Sequence, residues 1–250
     1  MNKVVVITGA GGVLCSIIAK DFAKKGDKVA LLDLNGEAAE KVASEIRAEG
    51  GTAKGYTADV LSKESLEKAK EAIEKDFGKC DILINGAGGN SKLATTDGEF
   101  YSDEDTKSFF DLAPEGVNFV FNLNFIGTFL PTQVFALDMT KAGKGCILNI
   151  SSMNAYRPLT KIPAYSGAKA AVSNFTQYLA VYFAKAGIRV NAIAPGFFVT
   201  NQNRALLFNS DGSLTKRSEK ILRNTPMDRF GEAEELLGAV DFLCDDGKAG

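Results

Sequence analysis

The chain has 250 residues, 45% of them apolar and 24% charged, with a formal net charge of −2; this suits one large α/β domain of ordinary globular composition. Scattered basic residues at near-neutral charge give no footprint for nucleic acid, and no stretch reads as long and apolar enough to span a bilayer. Histidine is absent, which removes Ser-His-Asp hydrolysis, His-assisted hydride transfer and the common zinc sites.

The opening "KVVVIT" (3–8) predicts a buried strand, starting too early for a signal peptide. A helix is expected over about 13–25, ended by Gly26, then the strand "KVALLD" (28–33) and a helix across 36–49. A third strand region spans 52–59, a helix about 62–76, and the strand "DILIN" 81–85. Short apolar runs alternating with amphipathic helices imply a single-domain, Rossmann-type, doubly wound parallel sheet flanked by helices on both faces. From 88 to 116 the chain is polar and loop-like. A long helix should run over about 117–141, with a bend expected at "GTFLP", followed by the strand "CILNIS" (146–151). A helix over about 163–186, ended by Gly187, leads to the strand "RVNAIA" (189–194), a mixed polar region 197–224 and a last helix over about 231–244. Residues 1–250 read as one nucleotide-binding domain, with substrate loops at about 88–116 and 197–224. A closing strand after the last helix is missing, so either the tail is truncated or the sheet is one strand short. Four cysteines, at 15, 80, 146 and 244, form no Cys-x-x-Cys pair; isolated thiols of this kind predict a reduced, cytoplasmic protein.

"TGAGG" (8–12) stands between the first strand and the first helix. There, glycines permit a tight turn close to a pyrophosphate, and the helix N-terminus favours its charge. Asp33 follows about 20 residues on, where a carboxylate can accept from both ribose hydroxyls. It would repel a 2′-phosphate, and "DLN" offers no adjacent Arg, so NAD is expected rather than NADP. The plainer alternative is a simple turn with Asp33 as a strand-end cap.

"AYSGAKAA" places Tyr165 and Lys169 at i and i+4 on one helix face. A phenol is a poor base at neutral pH, but a neighbouring ammonium favours the phenolate and yields an acid/base without histidine. Ser152, at the end of a strand in "NISSM", can donate to a substrate oxygen as charge develops. Asn124, polar in the apolar "FNLNFIGTF", is placed to hold a water that relays protons to Lys169. Each alone could be a solvated helix face, a strand-end polar group or a cap; together, after a nucleotide loop, they point to hydride transfer.

The order of "TGAGG", "NGAG" (85–88), Asn124, Ser152, Tyr165-x-x-x-Lys169 and "PGFFVT" (195–200) resembles the short-chain dehydrogenase/reductase family over nearly the whole chain. The resemblance implies a catalytic tetrad of Asn124, Ser152, Tyr165 and Lys169, with Lys169 also binding the nicotinamide ribose. It implies cofactor contacts at Gly9, Gly11, Gly12, Val13, Leu14 and Asp33, at Asp59 and Val60 beside adenine, at Asn85, Gly86, Ala87 and Gly88, and at Pro195, Gly196 and Thr200 beside the nicotinamide amide. It further implies a homo-oligomer, dimer or tetramer, built through the two long helices. Glycines are usual in that family at the positions of Val13 and Cys15; Cys15 is small and apolar enough to pack there, and is read as buried and unreactive.

Within the family, "TGAGGVLC", "ILINGAGGN" with "KLATTDGEF", "SSMNAYRPLTKIPAYSGAKAA" and "APGFFVTNQNR" resemble the D-mannonate oxidoreductases, or fructuronate reductases. That implies NAD-linked interconversion of a sugar-acid alcohol and its ketone. A sugar acid needs a carboxylate partner and hydroxyl partners. Asn154, Arg157 and Lys161 lie between Ser152 and Tyr165; Gln202, Asn203 and Arg204 lie at the expected lid; Asn90 and Lys92 lie at the mouth. A steroid or acyl pocket would want apolar residues in these places. The competing readings are a reductase of another polar ketone, such as a ketogluconate, and a catalytically silent NAD(H)-sensing protein.

Overall fold

Strands that are apolar on both faces are stable only with helices packed on each side. In the computed structural model, which describes residues 2–199 and 204–247, six such strands form one sheet. They are β1 (Val4–Thr8), β2 (Lys28–Asp33), β3 (Thr52–Thr57), β4 (Ile82–Asn85), β5 (Gly145–Ile150) and β6 (Ile188–Ile193), all parallel, in the order 3-2-1-4-5-6. No seventh strand joins β6 among the described residues.

Period-two alternation divides the core. Val5 and Ile7 of β1 face one layer, with Ile18 of helix α1 (Val13–Lys24), Ile46 of α2 (Gly36–Ala48) and Val240 of the last helix. Val4 and Val6 face the other, with Leu66 of α3 (Lys63–Asp76), which Ser62 caps, and with Phe135 and Met139 of the long central helix. The direction of winding reverses between β1 and β4, the place where open α/β sheets leave a crevice beyond the strand ends.

The central helix departs from expectation. It starts at Pro114, as α4 (Pro114–Phe121), passes through a π-helical segment (Asn122–Ile126) and continues as α5 (Gly127–Ala142). The irregularity lies at Asn124 rather than at "GTFLP". The Asn124 side-chain amide takes the Val120 carbonyl at 2.8 Å, an acceptor that a regular helix gives to the backbone N–H of residue 124, and the turn widens to compensate. Together, Pro114–Ala142 is 29 residues, long and apolar enough to cross a bilayer by length and composition, which corrects the sequence expectation. Half of its most apolar window is buried within the fold, and the helix carries the buried polar residues Asn124, Thr128, Thr132 and Asp138.

Asp138 is clamped by Lys70 of α3, with Lys79 at 3.8 Å and Lys141 at 3.7 Å. The Lys70 hydrogen bond holds its carboxyl below the usual range, against the effect of burial. A depressed carboxylate stabilises the fold above its unfolded pKa of about 4, and that contribution disappears as pH falls through the folded value. Asp138→Asn should therefore cost about 2 kcal/mol at neutral pH and little below about pH 3, read as the difference between denaturation midpoints.

Two polar regions are more structured than expected. Residues 88–116 hold 3-10 turns at Lys92–Ala94 and Phe109–Asp111. After α6 (Pro163–Phe183) and β6, the later region holds α7 (Arg204–Leu207) and α8 (Lys216–Arg223). The last helix, expected over 231–244, is a 3-10 turn (Ala233–Leu236) followed by α9 (Leu237–Cys244).

Candidate active site

The turn after β1 rests on the turn after β4. Gly9 has φ +66°, and a Cβ there would come within 2.8 Å of the Ala87 backbone. Thr8 holds the second turn from below: its hydroxyl accepts the N–H groups of Gly86 at 3.1 Å and Ala87 at 3.2 Å. Cys15 occupies the volume that a side chain at Gly86 would need. Burial pushes its thiol up to about 12, so it stays protonated and packs as an apolar group.

Part of the glycine loop's hydrogen-bonding capacity is spent within the protein. Gly11 N–H donates to Asp33 Oδ2 at 3.0 Å, Asn35 N–H to Asp33 Oδ1 at 2.9 Å, and Gly12 N–H to the Gly9 carbonyl at 3.1 Å. The first turn of α1, at Val13 and Leu14, has neither a side-chain cap nor an acidic residue, so its N–H groups remain available to an anion. An uncapped N-terminus, a loop without Cβ bulk and a carboxylate fixed at the end of β2 together fit a nicotinamide dinucleotide. Asp59 turns its carboxylate onto Leu61 N–H at 2.8 Å, and Val60 is buried against Gly127. Pro195 fixes the opposite side by accepting Met153 N–H at 3.1 Å, with Gly196 exposed beside it. Thr200, Gln202 and Asn203 lie outside the described residues.

Four successive residues at the end of β5 each engage one polar position on a single face of α6. Asn149 donates to Thr176 Oγ1 at 2.9 Å, and the Ile150 carbonyl accepts Lys169 Nζ at 2.7 Å. Ser151 and Ser173 share a hydrogen bond at 2.6 Å, and the Ser152 hydroxyl bonds Tyr165. Residues 165, 169, 173 and 176 fall on one stripe of a helix, so the strand end holds it in axial register. Ser152 Oγ also accepts Asn154 N–H at 3.2 Å, while its hydrogen is given to the Tyr165 hydroxyl.

Lys169 is buried, and desolvation lowers its ammonium to about 8. Its Nζ lies 5.7 Å from the Tyr165 ring centre. Burial raises the Tyr165 phenol and the Ser152 hydrogen bond pulls it back. Asn124 is fully buried, with its amide on the Gly89 carbonyl at 2.7 Å. A Cβ on Gly88 would lie 2.7 Å from Asn124 Oδ1 and 3.3 Å from Lys169 Nζ, so bare backbone is all that fits between them. The structure thus brings Gly88, Asn124, Ser152, Tyr165 and Lys169 together beside the crevice.

The substrate candidates separate into groups. Asn154 is buried and its Oδ1 has no partner among the described residues. Arg157 and Lys92 are exposed, and Asn90 is exposed with its amide on Thr95 at 3.1 Å. Arg204 lies over the Phe208 ring at 5.4 Å. Lys161 is not free for a carboxylate: it adopts φ +74°, its Nζ donates to the Asp97 carbonyl at 2.6 Å and its carbonyl accepts Thr96 N–H. It pins the long loop over the segment between Ser152 and Tyr165.

Motif reading had missed Thr8, Thr128, Thr132, Asn149, Ser173 and Thr176. Their one linear signal is polarity inside otherwise apolar strands and helix faces, with Asn124, Thr128 and Thr132 spaced four apart.

A family model for short chain dehydrogenases matches residues 3–209. An uncharacterized oxidoreductase of Haemophilus influenzae is 63% identical over 248 residues, 98% of this chain and 87% of that protein. The uncharacterized oxidoreductase UxuB of Bacillus subtilis is 53% identical over 250 residues, 100% of this chain and 90% of that protein. A Haemophilus influenzae crystal structure with bound NAD, described as that of a candidate D-mannonate oxidoreductase, superposes with a TM-score of 0.95 at 62% identity, covering 99% of this chain and 89% of that one.

Proposed function

Because the chain belongs to the short-chain dehydrogenase/reductase family, we propose that it is an NAD-dependent oxidoreductase that interconverts D-mannonate and D-fructuronate. The chemistry rests on one observation: Ser152, Tyr165 and Lys169 converge at the end of β5, beside a dinucleotide crevice. A bound nicotinamide supplies the hydride in ketone reduction and takes it back in alcohol oxidation.

Tyr165 gives its phenolic proton to the ketone oxygen in reduction and removes the hydroxyl proton in oxidation. The Ser152 hydroxyl, fixed by the Asn154 N–H and bonded to Tyr165, turns its hydrogen to the same substrate oxygen as charge develops there. Lys169 faces the phenol as an ammonium poised near neutrality, so the pair can release and recover a proton without histidine. Asn124, held by Val120 and Gly89, fixes the far wall of the pocket.

NAD is favoured by Asp33, whose carboxylate is fixed by the Gly11 and Asn35 N–H groups at the end of β2 and would accept from the ribose hydroxyls. The substrate assignment is supported by the Haemophilus influenzae neighbour and by the polar surroundings. Asn154 Oδ1, buried and unpaired among the described residues, is the acceptor for a substrate hydroxyl, and exposed Arg157 is the partner for the carboxylate. Exposed Leu137, Tyr178, Val181 and Tyr182 on α5 and α6, with Tyr178 and Tyr182 stacked at 5.6 Å, support a homo-oligomer. All four thiols are free, Cys146 and Cys244 even though they touch, which supports a reduced, cytoplasmic setting.

The test is NADH oxidation with a panel of keto-uronates, ketogluconates and acetoacetyl esters. D-Fructuronate should give the highest kcat/KM. Turnover confined to an ester sinks the sugar-acid reading, and binding of NADH without any turnover indicates a sensor.

A further inference from the structure

Away from the reacting groups, a chain of buried polar side chains joins the two helices that carry them. On α5, Thr128 Oγ1 donates to the Asn124 carbonyl and Thr132 Oγ1 to the Thr128 carbonyl, each at 2.8 Å. Asn85 crosses from the sheet, its amide donating to Thr132 Oγ1 at 3.1 Å and to Asn149 Oδ1 at 2.9 Å. Asn85 and Asn149 stand opposite each other in the β4–β5 register. Asn149 then donates to Thr176 on α6 at 2.9 Å, and Thr176 donates to the Val172 carbonyl at 2.8 Å. All five side chains are buried.

We propose that Asn149 is a positioning residue for hydride transfer: one carboxamide couples the helix of Asn124 to the helix of Tyr165 and Lys169 and fixes their relative register. This rests on the oxidoreductase reading above. Asn149 touches neither end of the site. Its oxygen serves the Asn124 side and its nitrogen the Tyr165 side, so neither bond can shift without disturbing the other. An apolar residue would fill the same volume, but it would leave one Asn85 amide hydrogen and one Thr176 oxygen lone pair unpaired in the core. The next residue, Ile150, provides the carbonyl that anchors Lys169. With the ammonium tied to β5 by that carbonyl, a slip of α6 along β5 therefore moves the phenol relative to it. Of the titratable groups around this pair, Lys169 faces the Tyr165 ring, and the Cys15 thiol on α1 is near Lys169.

Because Asn149→Leu would strand two buried polar groups, near-isosteric Thr132→Val and Thr176→Val carry the test, alone and combined. Tyr165 is titrated in the NAD complex by its near-ultraviolet phenolate absorbance, with Tyr165→Phe as blank, which needs no substrate. Each single variant should raise that midpoint by about half a pH unit, because a displaced ammonium favours the phenolate less. With the ketone that turns over best, each should lower kcat about tenfold, as expected for misplacement of reacting groups, with KM little changed. Thr132 and Thr176 lie on different helices, so their effects multiply unless something couples them. The double variant should lose clearly less kcat than the product of the singles. An unchanged phenol midpoint with only a lower Tm shows a merely structural role and overturns the proposal, as do multiplicative kcat losses. If no ketone on the panel turns over, the function reading fails, while the phenol titration still decides this one.

Discussion

Tyr165→Phe should lower kcat by about 10³-fold or more, while the dissociation constant for NADH stays within about twofold. Phenylalanine keeps the ring and its packing in the small apolar cluster that includes Val120 of α4. Lys169 keeps its 2.7 Å bond to the Ile150 carbonyl, so groups that would hold the cofactor stay in place. Only the proton is lost, and no histidine stands in reserve. Stopped-flow NADH oxidation reports the first quantity and fluorescence titration the second. Turnover near the wild-type rate would move the general acid to another residue. In the wild-type enzyme the same pair sets the pH dependence. Ketone reduction consumes a proton held by the pair, so its rate falls as pH rises through the region set by Lys169, at about 8. Alcohol oxidation needs the deprotonated form and gains rate over the same interval.

The residues proposed to do chemistry were legible because their spacing lies within one element or follows a strand directly. Tyr165 and Lys169 share a helix face, Ser152 ends a strand, and Asp33 stands one strand beyond the glycine loop. The bonds that hold them were not legible, since each joins segments far apart in the chain. Thr8 to Gly86 and Asn149 to Thr176 obey no linear period. Three further features depend on local competition for backbone groups, which residue type alone does not disclose. Gly11 N–H goes to Asp33 rather than outward. Asn124 takes a helix carbonyl and opens a π-turn where a proline motif further on had suggested the bend. Lys161 adopts a left-handed backbone and binds the loop above it, although its charge and position had suggested a substrate contact. Polar residues in apolar surroundings were the visible trace of the hidden network, and a residue of that kind deserves to be read as a bond whose partner lies elsewhere in the fold.

Asp33→Ala should shift the ratio of NADPH to NADH dissociation constants by about 10²-fold in favour of NADPH. The carboxylate cannot turn away from a bound nucleotide, since Gly11 N–H at 3.0 Å and Asn35 N–H at 2.9 Å fix its two oxygens. A 2′-phosphate brought about 4 Å from this fixed anion meets a repulsion between about 1 kcal/mol in water-like surroundings and about 4 kcal/mol near a protein surface. Each 1.4 kcal/mol is about tenfold in affinity. Alanine removes that repulsion and frees the Gly11 N–H as a new donor for the phosphate, while NADH loses a ribose acceptor. The same change also loosens the loop, because two backbone amides lose their partner. Asp33→Asn separates the effects: its carboxamide oxygen can keep one of those amides, and only the charge disappears. If charge governs the preference, Asn should recover most of the shift seen with Ala. If loop order governs it, Asn should behave like wild type, and Ala should weaken both cofactors alike. Fluorescence titration of both reduced cofactors with the three proteins decides between them, and an unchanged ratio in both variants removes Asp33 from cofactor selection.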